Sequence, residues 1–216
     1  MSIVLLFSIT RLQFRKELKP VRAAITMQRD AEGRLLFDDR PDFRPNLTPR
    51  EIFQLGSFGG TYWRPIHSSV AGKELSDQHL EFEEWWEGIP NSLLTSEVYD
   101  KSVNRFGVKS GTSLEMWESK GWIRSEDPYG WVQWYCRFFS GRRGPDDDRQ
   151  VKRWNSFAGE RGRFRSQLIK RVIAREASFD DVSVSPVIRQ SLQHWGYRLT
   201  EADFDKAALR LWEKSF

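Results

Sequence analysis

The chain has 216 residues, with 34 Lys/Arg against 30 Asp/Glu, ten tryptophans and one cysteine. A chain of this length buries roughly 70% of its unfolded surface, and 39% hydrophobic residues take it out of the disordered class. One cysteine excludes an internal disulfide and any cysteine-based zinc finger, and no apolar run approaches the ~20 residues that span a bilayer.

Arg11, Arg15 and Lys16 precede the first acid, Glu17. That bias fits a mitochondrial presequence over residues 1–26. The alternatives are an ordinary N-terminus or a start at Met27. The lone cysteine otherwise suits a reducing, intracellular compartment, nucleus or cytoplasm. Ile25–Met27 and Leu35–Phe37 flank the turn-forming Asp30-Ala31-Glu32-Gly33, which leaves room for a short N-terminal β-hairpin. Residues 1–40 read as an extension, poorly ordered or hairpin-containing, and residues 41–216 as one helical domain.

Thr48, Pro49 and Glu51 form a helix-start signature with a capping box, and Gly56 closes that helix. "GSFGGTYWRPI" (Gly56–Ile66) is glycine-rich, then aromatic and basic. It is not a P-loop, because no Gly-Lys-Ser/Thr follows. Its glycines would let a ligand approach the backbone, or allow a tight turn that buries Phe58, Tyr62 and Trp63. Helices are expected over Ser76–Glu87, Ser92–Phe106 and Thr112–Lys120. His79 and Glu83 fall one turn apart, but with no further local ligand no metal site is expected, and no cofactor.

"DPYGWVQWYCRF" (Asp127–Phe138) opens with a candidate cap, Asp127, and a first-position proline, Pro128. Trp131, Trp134, Tyr135 and Phe138 recur at helical spacing, and Val132, Cys136 and Phe139 widen that face. Gln133, Arg137 and Ser140 remain for a polar side. So wide an apolar face predicts a buried helix rather than an aromatic stacking platform. Helices follow at Pro145–Phe157 and Arg161–Glu176, joined by Gly159–Gly162 as a hairpin. Another starts at Ser185-Pro186 and stops at Gly196, where His194 reads as a cap for carbonyls. The last is capped by Thr200, with Asp203 at the capping-box position. The class is mainly α, a single multi-helix domain.

Charge is uneven. Arg137–Arg175 holds twelve Lys/Arg and four Asp/Glu, a local +8, whereas Gly72–Lys120 is −5. Four strings, "GGTYWRPIHS", "DPYGWVQWYCRF", "GRRGPDDDRQVKRW" and "SPVIRQSLQHWGY", together resemble an uncharacterised family of eukaryotic proteins over roughly residues 40–216. The resemblance carries over no activity and no catalytic or binding residue.

The basic segment predicts binding of an anionic partner, nucleic acid or another polyanion, through the Arg-rich helical stretch 137–175. Arg142, Arg143, Arg149, Lys152, Arg153 and Arg163 are the expected phosphate contacts, with Trp154 as a stacking ring. The competing reading docks this segment on the chain's own acidic half. Asp146, Asp147 and Asp148 suit a helix N-terminus better than a Mg²⁺ site. An alternative function is an enzyme with a small-molecule pocket of Gly59, Gly60, Tyr62, Arg64 and His67, in which Arg64 fixes an anion and His67 moves a proton. A second alternative is a protein-interaction module anchored by Trp85 and Trp86.

Overall fold

The computed structural model describes residues 28–213. The presequence reading of residues 1–26 and the Ile25–Met27 arm of the proposed hairpin lie outside the described residues. The protein is mainly helical. Its described residues form seven α-helices, four 3₁₀ segments and one two-stranded antiparallel sheet.

Helix α1 (Pro49–Gln54) forms as its signature requires. Thr48 Oγ1 accepts the Glu51 N–H, and the Glu51 carboxylate accepts the Thr48 N–H at 2.7 Å. The sheet pairs β1 (Ile66–Ser68) with β2 (Lys73–Leu75), with Ile66 opposite Leu75. This hairpin lies beyond the glycine-rich turn; before that turn, the described residues pair at the Arg29–Leu35 bridge. Leu35 and Phe37 are buried with the rest of the core, so the packed body already includes residues assigned to the extension.

Gln78–Trp86 is a 3₁₀ segment interrupted at Phe82, where a regular helix was expected. Ser92–Phe106 departs further, with two single 3₁₀ turns at Asn91–Leu93 and Lys101–Val103. The reason is tertiary. The N–H groups of Ser96, Asp100 and Arg105 donate to the carbonyls of Gly60, Gly59 and Gly56 at 2.9–3.1 Å. Those donors are taken by another segment, so they cannot close helical turns. Helix α2 (Leu114–Ser119) follows, capped by Ser113 rather than Thr112. Its Glu118 accepts bonds from the Ser69 N–H and the Ser68 hydroxyl, tying α2 to the hairpin turn.

Helix α3 (Trp131–Phe139) has eight of its nine residues buried; only Arg137 reaches partly to the surface. It starts later than expected, with Gly130 as its cap, and Asp127 does not cap it. Gln133, assigned to a polar side, is fully buried, and its Oε1 accepts the Tyr129 N–H at 3.0 Å. Phe43 is the hub of this core, with ring centroids 5.2–6.0 Å from Trp131, Trp134, Tyr135, Phe138 and Trp154. Buried rings keep their polar atoms bonded. Tyr135 donates to the Leu47 carbonyl, Trp131 to that of His194, and Trp134 to Asp147. Cys136 is a fully buried core residue whose thiol is pushed well up by burial.

Helices α4 (Asp147–Phe157) and α5 (Arg163–Ala174) pack as the expected hairpin, and α5 also contacts α6 (Pro186–His194) and α7 (Glu201–Glu213). Phe164, Phe157, Trp195, Trp131 and Tyr135 stack in one column, with successive centroids 4.0–5.3 Å apart and planes within 20°. Arg165 enters this interior to pair with Asp203 at 2.6 Å, while Tyr197 donates to the other Asp203 oxygen. Asp203 therefore turns inward instead of completing a capping box, although its N–H bonds Thr200 Oγ1.

His194 corrects its expected role. Its Nε2 accepts the Phe58 N–H at 3.1 Å and its ring stacks on Phe58 at 3.9 Å. Burial drives its pKa from 6.5 down to about 3. Below pH 6.5 the unfolded chain takes up a proton that the folded imidazole refuses. Stability from this group is therefore complete above that pH and is lost as pH falls toward about 3, by about 1.4 kcal/mol per unit. In urea titrations at pH 7.5 and 5.0, the wild-type chain should lose about 2 kcal/mol more than His194→Gln. Equal losses would contradict the assignment.

Candidate functional site

The basic segment does not present one surface. Arg142 clasps the buried Asp127 at 2.9 and 2.6 Å, and Arg137 reaches the same carboxylate at 2.9 Å. Arg137 also pairs with Glu81 at 2.6 Å. Arg143 pairs with Asp39 at 2.5 Å and lies 3.7 Å over the Phe138 ring. Arg149 pairs with Asp146 one turn away at 2.6 Å. Including Arg165–Asp203, five arginines of the segment are held in ion pairs. Of the proposed phosphate contacts, Arg142, Arg143 and Arg149 are thus engaged within the chain. The competing docking on the acidic stretch 72–120 is met by Arg137–Glu81; the other carboxylates come from Asp39, Asp127, Asp146 and Asp203.

The three aspartates each serve different partners. Asp147 accepts from Trp134 Nε1 and the Gly144 N–H, Asp146 from Arg149 and Gln150, and Asp148 from Arg40. None makes a side-chain cap at the start of α4. Among the described residues, no group of three or more His, Cys, Asp or Glu side chains is placed to hold a metal ion.

Trp154 is 2% exposed, and its Nε1 donates to the Trp195 carbonyl at 2.8 Å. A ring enclosed in the core has no face for a base, which removes it as a stacking residue. Trp122 is 43% exposed instead, and periodicity gave no sign of it because it lies in a turn after α2. Arg153 lies between the Trp122 and Trp195 rings, at 5.7 and 5.3 Å. Burial, then the neighbouring Arg149 charge, pushes its pKa down to about 10, so it remains a cation at neutral pH. Lys152 is exposed on α4.

The second half of the segment is different. Arg163, Gln167, Lys170, Arg171 and Arg175 lie on the outer face of α5 or at its C-cap, opposite the buried Arg165, Leu168, Ile169 and Val172. With Arg161 just before the helix, these cations are all exposed, and among the described residues none is joined to a carboxylate. Arg163 packs over Phe164 at 4.9 Å, the outer end of the ring column, and Arg171 donates to Ser185 Oγ.

The glycine-rich turn serves the fold. A Cβ on Gly59 would meet the Tyr99 ring at 2.6 Å, and one on Gly60 would meet the Ser92 carbonyl oxygen at 2.0 Å. Both glycines are buried and make room for the chain itself, not for a ligand. Tyr62 and Arg64 line a cleft of about 350 Å³ with Tyr99, Lys109, Trp117 and Tyr129. His67 is not on that lining; its side chain is 63% exposed and pairs with Glu74 at 2.7 Å. Arg64, expected to fix an anion, and His67, expected to move a proton, are therefore not brought to one cleft. Nor are Trp85 and Trp86 free anchors. Trp86 is buried, with Nε1 bonded to the His79 carbonyl, and Trp85 stacks on Phe82.

No helix among the described residues is long and apolar enough to cross a membrane. Comparison of the chain with protein-family models, curated proteins and solved structures gives no match.

Two stability tests follow from this geometry. Asp127→Ala leaves two arginines without their buried counter-charge and should cost about 3 kcal/mol in urea denaturation. Gly60→Ala should cost on the order of 2 kcal/mol or more, since the backbone there has φ +77° and the space is filled. Gly144→Ala, where nothing lies within 4 Å, should be near neutral.

Proposed function

We propose that the protein binds an anionic partner, nucleic acid foremost, through the outer face of α5. The observation that carries this reading is the set of exposed cations Arg161, Arg163, Lys170, Arg171 and Arg175, which have no carboxylate partner among the described residues, while Arg137, Arg142, Arg143 and Arg149 do. A protein does not gain folding energy from such a row of like charges. An external polyanion would neutralise it and release the counterions condensed on that polyanion. Of the contacts first expected from sequence, Arg163, Lys152 and Arg153 remain available to a ligand, and Trp122 takes the stacking role assigned to Trp154. Ring and guanidinium contacts run from Trp122 through Arg153, Trp195, Phe157 and Phe164 to Arg163. This supports one surface that joins an exposed indole to the basic face. No base-reading motif accompanies it, so the expected contacts are to phosphate and are sequence-tolerant.

Fluorescence anisotropy with labelled single- and double-stranded DNA and RNA, titrated across salt, tests the reading. Each phosphate contact removed should lower the slope of log K against log salt by about one. The triple variant Lys170→Gln, Arg171→Gln, Arg175→Gln should therefore bind more weakly with a flatter slope, whereas Arg143→Gln, already paired to Asp39, should keep the wild-type slope. Absence of binding at low salt, or binding without salt dependence, overturns the proposal.

A further inference from the structure

We infer that the cleft beside the glycine-rich turn is a separate binding site for a small aromatic monocarboxylate. Its volume of about 350 Å³ falls in the range of small-molecule clefts, roughly 300–1,000 Å³. Five aromatic side chains, Phe58, Tyr62, Tyr99, Trp117 and Tyr129, are on its lining, beside small polar residues such as Ser110 and Thr112. Tyr62 and Tyr129 have their hydroxyls engaged, Tyr62 donating to the Tyr129 carbonyl at 2.6 Å and Tyr129 to the Arg64 carbonyl at 2.8 Å. They therefore offer the cleft only apolar ring surface. Trp117 likewise has its Nε1 bonded, to Thr112 Oγ1 at 2.7 Å, and lines the cleft together with Tyr99. A flat apolar body fits between such surfaces in offset or edge contact.

The charges on the lining select the rest of the ligand. Among the described residues the Arg64 side chain makes one hydrogen bond, from Nη1 to the Thr61 carbonyl at 3.1 Å, and meets no carboxylate partner. A guanidinium carries five N–H donors in a planar fork, so most of this fork is unsatisfied by the protein. Lys109 is exposed, its ammonium 5.8 Å from the centre of the Tyr99 ring. Glu97 is the one carboxylate on the lining. Glu115, on α2 outside the lining, feels the Arg64 charge without pairing with it. Two cations against one anion leave the cleft one positive charge, which matches a monoanion better than a phosphate dianion. The planar fork suits a carboxylate in particular. The lining holds no nucleophile paired with a base, and His67 lies elsewhere, so the site is assigned to binding and no reaction is attached to it.

Isothermal titration calorimetry on the full chain with 2-naphthoate and its neutral isostere 2-naphthamide tests this. Naphthoate should bind with a sub-millimolar Kd, and the amide about tenfold or more weaker, as expected when a charged hydrogen bond is lost. Arg64→Gln should weaken naphthoate by about tenfold and Lys109→Gln by less, while Arg163→Gln on α5 should leave it unchanged. If Arg64→Gln fails to fold by circular dichroism, Lys109→Gln decides, since that side chain is exposed and has no ion-pair partner. Equal affinity for acid and amide, no heat from naphthoate, or wild-type affinity in both cleft variants overturns the inference. Because Arg163→Gln reports on the basic face and the cleft variants do not, failure of one site is distinguishable from failure of the other.

Discussion

A nine-residue helix buried on nearly every side must be enclosed by the rest of the chain, and α3 imposes that constraint here. Its neighbours come from distant segments: Phe37 and Phe43, the Tyr62 turn, Trp85 and Trp195. Each brings apolar area that stabilises by about 25 cal/mol per Å² removed from water. Enclosure also cuts polar atoms off from solvent. The Tyr62 hydroxyl meets this need between two segments, donating to the Tyr129 carbonyl and accepting the Gln133 N–H at 3.0 Å. The tryptophan-rich composition is thus mostly the material of this enclosure. Trp122, on the surface beside Arg153, and Trp212, 62% exposed on α7, stand apart from it.

The same enclosure decides where charge can act. A count along the chain treats Arg137 and Arg171 alike, yet one binds two carboxylates beneath the surface and the other faces water. The split falls between α4 and α5. Before it, arginines close the ends of the buried helix and join the N-terminal residues to the body, as Arg143 does with Asp39 and Arg40 with Asp148. After it, within 161–175, Arg165 alone turns inward. The exposed, unpaired basic surface among the described residues is therefore smaller than the charge count implies, and more concentrated on one helix.

Local signals were legible in the sequence wherever the interaction itself is local. The Thr48–Glu51 capping box joins residues three apart, and the period of Trp131, Trp134, Tyr135 and Phe138 names the face that must be buried. The segment Ser92–Phe106 was misread because its backbone donors bond Gly56, Gly59 and Gly60, some forty residues away, and no window along the chain contains that information. For the site, Arg163, Lys152, Tyr62 and Arg64 were legible as charged or aromatic residues near turns and helix faces. Trp154 was not, since an indole among arginines looks the same whether it faces solvent or Phe43. Lys109 and Trp117 reach the cleft only through tertiary folding.

Asp127, Glu81, Arg137 and Arg142 form a closed set of two anions and two cations, with Asp127 2% exposed. Removing any one leaves the set with an unbalanced charge, and removing Asp127 also takes away the carboxylate that Arg142 pairs with, a loss larger than most surface substitutions bring. The four positions are therefore not free to drift singly. A lineage keeping this fold has to hold all four or exchange them together, and the path between those outcomes crosses a deep stability deficit. The network acts as a historical lock: it ties the loop that opens α3, both ends of that helix and the acidic 3₁₀ segment into one unit of inheritance.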